Sequence, residues 1–522
     1  MVSVHHPVQT SHRGPTTAAW SAREITLSPH LALAATAILG AVFRFVLLGA
    51  HSVWFDEAFV ARVAHERWLD IFGTLRQVDA HPPLYYLLMK AWLTLAGTGD
   101  AILRLPSACF SALSVVLAYM LARCVASEQV SLLAALMVSV SPVQIVSGQE
   151  ARMYPLAELL ALASSLALFH SVAAGTLRRW AVYAATATLL AYTHYLGFLV
   201  IAAHGLWVAC FHRRYMMRWL AAGTGVALAY LPWLPSLWFQ TVHGHGWAWY
   251  RDPVHAQDLG DLFGLFAFGG GLWGMGGYYG RGTLSFLGQL AVLAPFLIFL
   301  VRGAVAVAAD RSRVALIVLA LIVPVGSVFL FSLAEPMFYP RWFSFLTPFF
   351  AILVARGVIE AAGVFRRWRA LAAAVLAMGL LLFSGPGLAQ YYLDPAARPY
   401  NWRAAAALVK KYAQPGDFYL YVPVSAEISF LYYDDNARPF LTLSPIEGRA
   451  QGDHHADFTA ASARGLADRY PRTWLIATEP ATPAMQRRLW SDLHEVYRPL
   501  GKVGFNHVWV TLLEAQHLQH HP

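Results

Sequence analysis

Residues 51–83 read HSVWFDEAFVARVAHERWLDIFGTLRQVDAHPP, and the rest of the chain is organised around them. This segment follows a long apolar run and opens with Trp54, Phe55 and two adjacent carboxylates, Asp56 and Glu57. Charged residues next to an apolar span are costly unless they face water or a partner, and only 13% of this chain is charged. A structural interpretation is equally open at this point, because an interfacial tryptophan followed by acids also suits the start of a helix.

The composition indicates a membrane protein with many spans. Of the 522 residues, 58% are hydrophobic and 14% aromatic, and the mean hydropathy is +0.49. A soluble chain of this length does not need so much apolar surface. The net charge of +9 does not predict a nucleic-acid partner, because the arginines cluster in short loops. Cys109, Cys124 and Cys210 show no paired spacing, which indicates neither a disulfide framework nor a zinc site.

About eleven apolar runs approach the length that a membrane-spanning helix needs. They cover roughly residues 31–50, 103–123, 130–147, 154–173, 180–195, 197–211, 219–237, 284–301, 314–333, 343–361 and 370–389. The separation of the fifth run from the sixth is the least distinct, because Thr193-His194-Tyr195 provides only a very short turn.

The positions of arginine predict the orientation of these spans. If the N-terminus is cytoplasmic, every second loop is basic, as the positive-inside rule requires. The inside loops then carry Arg123, Arg178, Arg179, Arg213, Arg214, Arg218, Arg302, Arg311, Arg313, Arg366, Arg367 and Arg369. This alternation predicts an odd number of spans. It places the following segments outside: 51–102, 148–153, 238–283, 334–342 and everything after about residue 390.

The outer segments differ in character. Residues 56–77 and Leu84–Ala96 have the spacing of short helices lying along the membrane surface. The loop 238–283 is rich in glycine and aromatic residues, which suits either a mobile lid or a plain flexible connector.

Beyond residue 391 the pattern changes to alternating helices and strands. Helices are predicted at Asn401–Ala413 and Thr482–Val496, and strands at Asp417–Val424, Arg472–Ala477 and Val503–Leu513. The predicted fold is therefore an all-α polytopic membrane protein with about 11 transmembrane helices and a small C-terminal α/β extracytoplasmic domain. Its predicted parts are a cytoplasmic tail 1–30, a transmembrane domain 31–390 whose outer loop 51–102 carries the acids, and a soluble domain 391–522.

Polar residues on the predicted outer side fall at the ends of spans. They are Asp56, Glu57, His81, Arg104, Glu150, Arg152, Tyr154, His194, Tyr339 and Arg341. Each has a structural explanation of its own, such as a snorkelling arginine or a histidine at a helix end. Together they place carboxylates and guanidinium groups at one depth on one face. Arginine binds phosphate with two parallel hydrogen bonds, and a carboxylate can accept the proton of a hydroxyl or amine.

The order of six motifs resembles the polyprenyl-phosphate-sugar-dependent glycosyltransferases of the glycosyltransferase-C superfamily. The motifs are WFDE at 54–57, HPPLYYLL at 81–88, RLPSACFSAL at 104–113, SPVQIVSGQEARMYPL at 141–156, YTHYLG at 192–197 and YPRWFSFLTP at 339–348. The resemblance covers about residues 31–390. It is strongest to the bacterial relatives of protein O-mannosyltransferases and of the lipid A aminoarabinose transferase.

This resemblance implies an inverting, single-displacement transfer from an undecaprenyl- or other polyprenyl-phosphate sugar. It places Asp56 beside the reacting centre with Glu57 as its neighbour, and it maps the His-Pro-Pro element onto His81 and the arginine that opens the second span onto Arg104. The first loop lacks the Asp-x-Asp pair of metal-dependent oligosaccharyltransferases. No cofactor is therefore expected, although a divalent metal stays open. The expected partners are the lipid-linked donor, a lipid, glycan or protein acceptor, and membrane lipids.

The resulting hypothesis is a glycosyltransferase of the cytoplasmic (inner) membrane with its site and its C-terminal domain on the outer face. Asp56 is the expected general base and Glu57 orients it or the acceptor. Arg104, Arg152 and Arg341 are expected to bind the donor phosphate, and the remaining polar residues at the span ends to line the substrate site. Two alternatives stay open, a transporter or flippase for a lipid-linked sugar and a non-catalytic subunit of envelope polysaccharide assembly. A transporter predicts inverted repeats and charges near the midplane. No repeat is evident, and Arg44 is the clear cation within the first span.

Overall fold

A computed structural model describes residues 28–243, 253–269, 283–305, 310–394, 400–434, 438–443, 460–478 and 483–516. Nearly all of the predicted tail 1–30, and residues 244–252 and 270–282 of the predicted lid or connector, lie outside these ranges. The helices that precede residue 394 in the described ranges, α1 to α17, are Pro29–Phe45, Phe55–His65, Asp70–Val78, Leu84–Ala96, Asp100–Val125, Glu128–Val140, Pro142–Gly148, Tyr154–Ala174, Leu177–Ala191, Gly197–Phe211, Met216–Tyr230, Leu234–His243, Ala256–Phe268, Phe286–Ala304, Arg311–Ser332, Thr347–Ala362 and Arg369–Leu393. Short 3₁₀ turns occur at Arg213–Tyr215, Leu231–Trp233, Pro340–Leu346 and Arg366–Trp368.

Each of the predicted apolar runs coincides with helical structure. Within the described ranges, seven helical segments are long and apolar enough to cross a membrane, and an eighth is added if α6 and α7 count as one span. These two helices meet at 55° where Ser141 precedes Pro142, because the proline ring cannot continue the hydrogen-bond ladder of α6. The prediction of a polytopic helical membrane protein is confirmed, whereas the number eleven stays a prediction.

The most buried span is α16 with the 3₁₀ turn before it, and it lies at the centre of the helical region. It crosses α14 at very short distance because two glycines lie at the crossing. A Cβ atom at Gly357 would lie 1.9 Å from the Phe299 carbonyl oxygen, and one at Gly303 would lie 1.8 Å from the Leu353 carbonyl oxygen. Small residues let two helix backbones approach in this way in membranes. The central span, whose entry turn carries Arg341, is thereby rigidly placed.

The C-terminal region forms a five-stranded sheet with helices, as the alternating pattern predicts. Its described elements are α18 Trp402–Tyr412, β1 Phe418–Val422, α19 Val424–Leu431, β2 Phe440–Thr442, α20 Ala460–Arg469, β3 Arg472–Thr478, α21 Pro483–His494, β4 Tyr497–Phe505 and β5 Val508–Ala515. The strand order is β2-β1-β3-β5-β4. Strands β2, β1 and β3 are parallel, and β5 runs antiparallel to both β3 and β4.

The prediction of a single final strand at Val503–Leu513 is wrong. The chain turns within it, so that β4 and β5 form a hairpin in which Phe505 pairs with Val508. The two loop residues, Asn506 and His507, both have positive φ, as a two-residue hairpin turn requires. Asn-His is not the usual Asn-Gly signal, which explains why the turn is hard to recognise in the sequence.

The sheet domain packs directly on helices near the start of the chain. Helix α19 contacts α2, the helix that begins with the two adjacent carboxylates. Ile428, Tyr432 and Tyr433 lie against the same hydrophobic cluster that contains the buried residues of α2 and α4. The C-terminal domain therefore sits beside the segment from which the site is built.

Candidate active site

Asp56 and Glu57 lie in the first turn of α2, but their side chains face different surroundings. The Glu57 side chain is completely buried, whereas 21% of the Asp56 side chain is exposed. Glu57 Oε1 accepts the backbone N–H of Ala151 at 2.9 Å, and its Oε2 accepts that of Trp54 at 3.4 Å. Glu57 thus ties the start of α2 to the segment before α8, while Asp56 is directed into the site.

Glu57 is paired with Arg104, and this pair is saturated. Arg104 donates from Nε and Nη2 to the two carboxylate oxygens at 2.7 and 2.6 Å. Its other donors reach backbone carbonyls, those of Leu48 and His51 from Nη1 and that of Ser52 from Nη2. All five N–H groups of the guanidinium therefore have a partner in the chain.

The geometry of Arg104 argues against the phosphate-binding role predicted for it. A phosphate could bind only if hydrogen bonds to Glu57 or to three carbonyls were broken in a site that water does not reach. Arg104 instead fixes the irregular segment between α1 and α2, and with it the position of Glu57. Arg104 therefore has a structural role at the edge of the site.

Asp56 bridges two other arginines. Its Oδ2 lies 2.9 Å from Arg341 Nη2 and 3.6 Å from Arg152 Nε. Arg341 Nη2 also lies 3.4 Å from Glu150 Oε2. These arginines and Glu150 are nearly buried, so the charges interact in a medium that screens them much less than water. The structure thus brings together four residues of which the two most distant, Asp56 and Arg341, are 285 positions apart in the sequence.

Arg341 is held between two aromatic rings. Its guanidinium carbon lies 4.6 Å from the centre of the Trp54 ring and 5.4 Å from that of Tyr154. Such cation–π contacts fix the plane of the guanidinium and thus the direction in which it donates. Tyr339 precedes the 3₁₀ turn that carries Arg341, and its ring packs edge-on against Trp342. The structure places Tyr339 beside this turn.

Arg152 is less completely satisfied than Arg104. It is 5% exposed, and its Nε has no hydrogen-bond partner within the described part of the chain, because Asp56 at 3.6 Å is too distant for a good hydrogen bond. A buried guanidinium N–H without an acceptor is costly. This donor is therefore available to an acceptor that approaches beside Asp56.

Two histidines and a tyrosine form the next layer. His81 Nδ1 lies 2.9 Å from Asp79 Oδ1, which fixes the ring by a charge-assisted hydrogen bond. The His194 ring centre lies 5.9 Å from that of His81 and 5.7 Å from that of Tyr154. His194 Nδ1 accepts the N–H of Leu196 at 3.2 Å, so its proton is on Nε2.

Electrostatics link this layer to the charge cluster. Burial alone would raise the pKa of Asp79, but the charges of His81 and Arg152 outweigh it and lower the pKa below its usual value. Burial lowers the pKa of His194 well below its usual value, and the nearby His81 and Arg152 lower it further. His194 is therefore neutral at physiological pH.

Sequence reasoning missed Asp79 and Trp54 as parts of this site. Asp79 stands two residues before His81 in Asp-Ala-His-Pro-Pro, and this spacing is a signal that could have been used. Trp54 was interpreted as an interfacial anchor, whereas its ring covers Arg341. Among the described residues, no three His, Cys, Asp or Glu side chains are grouped closely enough to bind a metal ion.

Comparison with known proteins places this geometry in context. A family model for dolichyl-phosphate-mannose-protein mannosyltransferase matches residues 80–239, which include His81, Arg104, Arg152 and His194. No curated protein matches the sequence.

Solved structures match almost the whole chain. The crystal structure of ArnT from Cupriavidus metallidurans bound to undecaprenyl phosphate is 15% identical, with a TM-score of 0.60 over 92% of this chain and 97% of that one. The archaeal oligosaccharyltransferase AglB from Archaeoglobus fulgidus, in complex with an inhibitory peptide and a dolichol-phosphate, is 13% identical, with a TM-score of 0.57 over 92% of this chain and 74% of its own. Arabinofuranosyltransferase AftD from Mycobacteria gives a TM-score of 0.50 at 14% identity, over 94% of this chain and 40% of its own. The chain therefore has the glycosyltransferase-C superfamily fold that its motifs predict.

Proposed function

We propose that the chain is a membrane glycosyltransferase that moves a sugar from a polyprenyl-phosphate donor to an acceptor, with inversion at the anomeric carbon. The observation that carries this proposal is the partly exposed Asp56 carboxylate between Arg341 and the unsatisfied Nε of buried Arg152. This combination places a base within 3.6 Å of the two arginines that would bind the phosphate. The likeness in fold to a protein crystallised with undecaprenyl phosphate supports the donor class.

The chemistry follows from the charges. An acceptor hydroxyl or amine attacks the anomeric carbon, the bond from that carbon to the phosphate oxygen breaks, and its electron pair stays on the phosphate. The proton of the acceptor passes to Asp56. Arg152 and Arg341 stabilise the charge that grows on the leaving phosphate. Because the phosphate leaves as a stabilised anion, the reaction needs no general acid to protonate it. As the phosphate binds, it replaces Asp56 as the partner of the arginines and frees the carboxylate to act as a base.

The other residues support these three. Glu150 orients Arg341, with which it forms an ion pair at 3.4 Å. His81, fixed by Asp79, and Tyr154 line the approach to Arg152. Glu57 acts through its contacts with the backbone rather than on the substrate. His194 packs behind His81 as a neutral ring.

The structure offers little to the transporter alternative. Arg44, the cation within the first span, is completely buried and donates to Ser111 Oγ and to the carbonyls of Gly40, Ser139 and Val138. A charge that is sealed by hydrogen bonds has a structural explanation and does not need a permeation pathway. We therefore favour transfer over transport.

The proposed location is the inner membrane, with the site and the C-terminal domain on the outer face. The basic loops carry this orientation. A reporter enzyme fused after the C-terminus tests it, because a reporter that works only outside the cytoplasm should be active. Activity of a reporter that works only in the cytoplasm would contradict the orientation and the outer acceptor.

The reaction itself is tested with purified protein in lipid nanodiscs. A panel of short-chain polyprenyl-phosphate hexoses and pentoses is incubated with a cell-envelope extract, and the release of polyprenyl phosphate is measured together with labelled acceptor. Release that depends on the protein and is lost in Asp56→Asn is the expected result. Movement of labelled lipid across proteoliposomes without release of phosphate would favour the flippase alternative instead.

A further inference from the structure

The segment that joins α1 to α2 has no regular secondary structure of its own, and other parts of the chain satisfy its backbone. Arg104, from the transmembrane helix α5, binds three of its carbonyls from one side. Buried or half-buried carbonyls without partners are costly, so whatever else binds them sets the conformation of this segment. Asp56 follows immediately and depends on that conformation.

Further contacts come from the C-terminal domain. Arg403 in α18 donates to the carbonyls of Gly49 at 2.8 Å, His51 at 3.3 Å and Ala50 at 3.4 Å. Its backbone N–H also donates to Ser52 Oγ at 3.1 Å. One guanidinium thus binds three successive carbonyls. Such specific contacts indicate that Arg403 fixes the backbone of this segment rather than only covering its surface.

A second residue of the domain completes the contact. The Tyr433 hydroxyl accepts the Val53 N–H at 2.7 Å and donates to Asp100 at 2.5 Å. Asp100 also pairs with Arg403, so one carboxylate at the start of α5 fixes both side chains. Val53 lies three residues before Asp56, and Trp54, which covers Arg341, lies between them.

We propose that the C-terminal domain is a working part of the active site, in which Arg403 and Tyr433 are positioning residues that hold residues 49–53 and thereby set the place of Asp56. This inference rests on the proposed function for its kinetic consequence, but its structural part can be tested without any activity. It gives the domain a definite task in addition to covering the site or docking the acceptor. Loss of the domain contacts displaces the base, whereas Arg152 and Arg341 are carried by other segments of the chain.

Hydrogen exchange measured by mass spectrometry tests the structural part on the full-length protein. Tyr433→Phe keeps the ring and removes the acceptor of the Val53 N–H. Peptides that cover residues 49–57 should exchange about tenfold faster, which is the usual effect of losing one hydrogen bond. Arg498→Ala, which removes an exposed ion pair between Arg498 on β4 and Glu514 on β5, is the matched control and should leave these peptides unchanged. Unchanged exchange of residues 49–57 in Tyr433→Phe overturns the proposal.

Kinetics of the same proteins test the consequence. Arg403→Ala and Tyr433→Phe should each lower kcat about tenfold and change KM for the lipid donor much less, because Arg152 and Arg341 are carried by other segments of the chain. Arg403→Lys should recover only part of kcat, since one ammonium can pair with Asp100 but cannot bind three carbonyls. In an Asp56→Asn background neither change should lower the residual rate further.

The outcomes separate the two proposals. If wild-type protein transfers no sugar while Tyr433→Phe still accelerates exchange, the proposed function fails and the role of the domain in holding residues 49–53 stands. A rise in donor KM with unchanged kcat would overturn the positioning role. Tyr433→Phe removes a single oxygen, so it provides the answer if Arg403→Ala does not fold.

Discussion

Asp56 and Glu57 are neighbours with the same chemical group, yet the fold uses them in opposite ways. Glu57 is sealed and makes a bidentate pair with an arginine whose five donors are all engaged. Asp56 is partly open and shares two arginines, one of which keeps an unsatisfied Nε. A saturated buried pair stabilises a structure, whereas an incompletely satisfied cluster in a cleft is where a charged ligand can bind. The two acids have the same chemical group and differ in how completely their arginine partners are hydrogen-bonded. This difference separates the structural carboxylate, Glu57, from the candidate base, Asp56.

The largest expected effect is that of Asp56→Asn. The substitution keeps the shape and removes the base, so turnover should fall by about 10²–10⁴-fold, the usual contribution of a positioned base. Donor binding should not weaken, because Arg152 and Arg341 remain and the carboxylate that the phosphate displaces has lost its charge. Transfer kinetics with a saturating donor measure the effect. Full activity of well-folded Asp56→Asn would leave Asp56 with no more than the role of a helix-start acid.

Glu57→Gln tests the structural role of Glu57. It leaves Arg104 charged and buried without a counter-charge, which should cost about 3–5 kcal/mol of stability. Thermal unfolding in detergent should show this loss, and Asp56→Asn should show a smaller one, because Asp56 is partly exposed and Arg341 keeps Glu150 as a partner. Combining Glu57→Gln with Arg104→Gln should restore part of the stability, since both charges are then gone. If Glu57→Gln unfolds normally and loses only turnover, Glu57 belongs with Asp56 and the contrast between them is wrong.

Much of the fold could be predicted because long apolar runs have few alternatives. The helices at α5, α8 and α15 begin and end close to the predicted bounds, and so does the surface helix α4. The contrast between Asp56 and Glu57 could not be predicted, since adjacent residues of one helix point to different sides and the sequence does not state which side is packed. The partners of Arg104 were equally hidden, because most of them are backbone carbonyls of an irregular segment.

The candidate site shows the same limit. The motifs identified most of its residues, and the structure gathers Asp56, Glu150, Arg152 and Arg341 within a few ångströms of one another. The contribution of the C-terminal domain could not be foreseen. Arg403 and Tyr433 stand about 350 residues after the loop they contact, and no local pattern marks them.

Arg152→Lys tests the same contrast for the arginines, between donor-binding Arg152 and structural Arg104. A lysine keeps the charge but loses the paired donors that match a phosphate, so KM for the donor should rise about tenfold. Arg104→Lys should instead lower the unfolding temperature and leave donor KM unchanged in the protein that stays folded. Titration of purified protein with a fluorescent polyprenyl phosphate measures both affinities. Equal donor affinity for wild type and Arg152→Lys would mean that Arg152 is a structural cation like Arg104.

The smallest expected effect concerns His194, a buried histidine that is neutral in the folded protein. Its Nε2 has no hydrogen-bond partner in the described ranges, and burial lowers its pKa well below its usual value. The unfolded chain binds a proton at this histidine below about pH 6.5 and the folded chain does not. Stability is therefore complete above that pH and falls as the pH drops toward the folded pKa, by at most about 1.4 kcal/mol per pH unit. His194→Asn keeps an acceptor for the Leu196 N–H and removes the titration. Unfolding measured from pH 7 to pH 5 should therefore be less pH-dependent in this variant, and replacement of the exposed His243 serves as the control. An identical pH dependence in His194→Asn and wild type would show that the folded protein does not lower the pKa of His194.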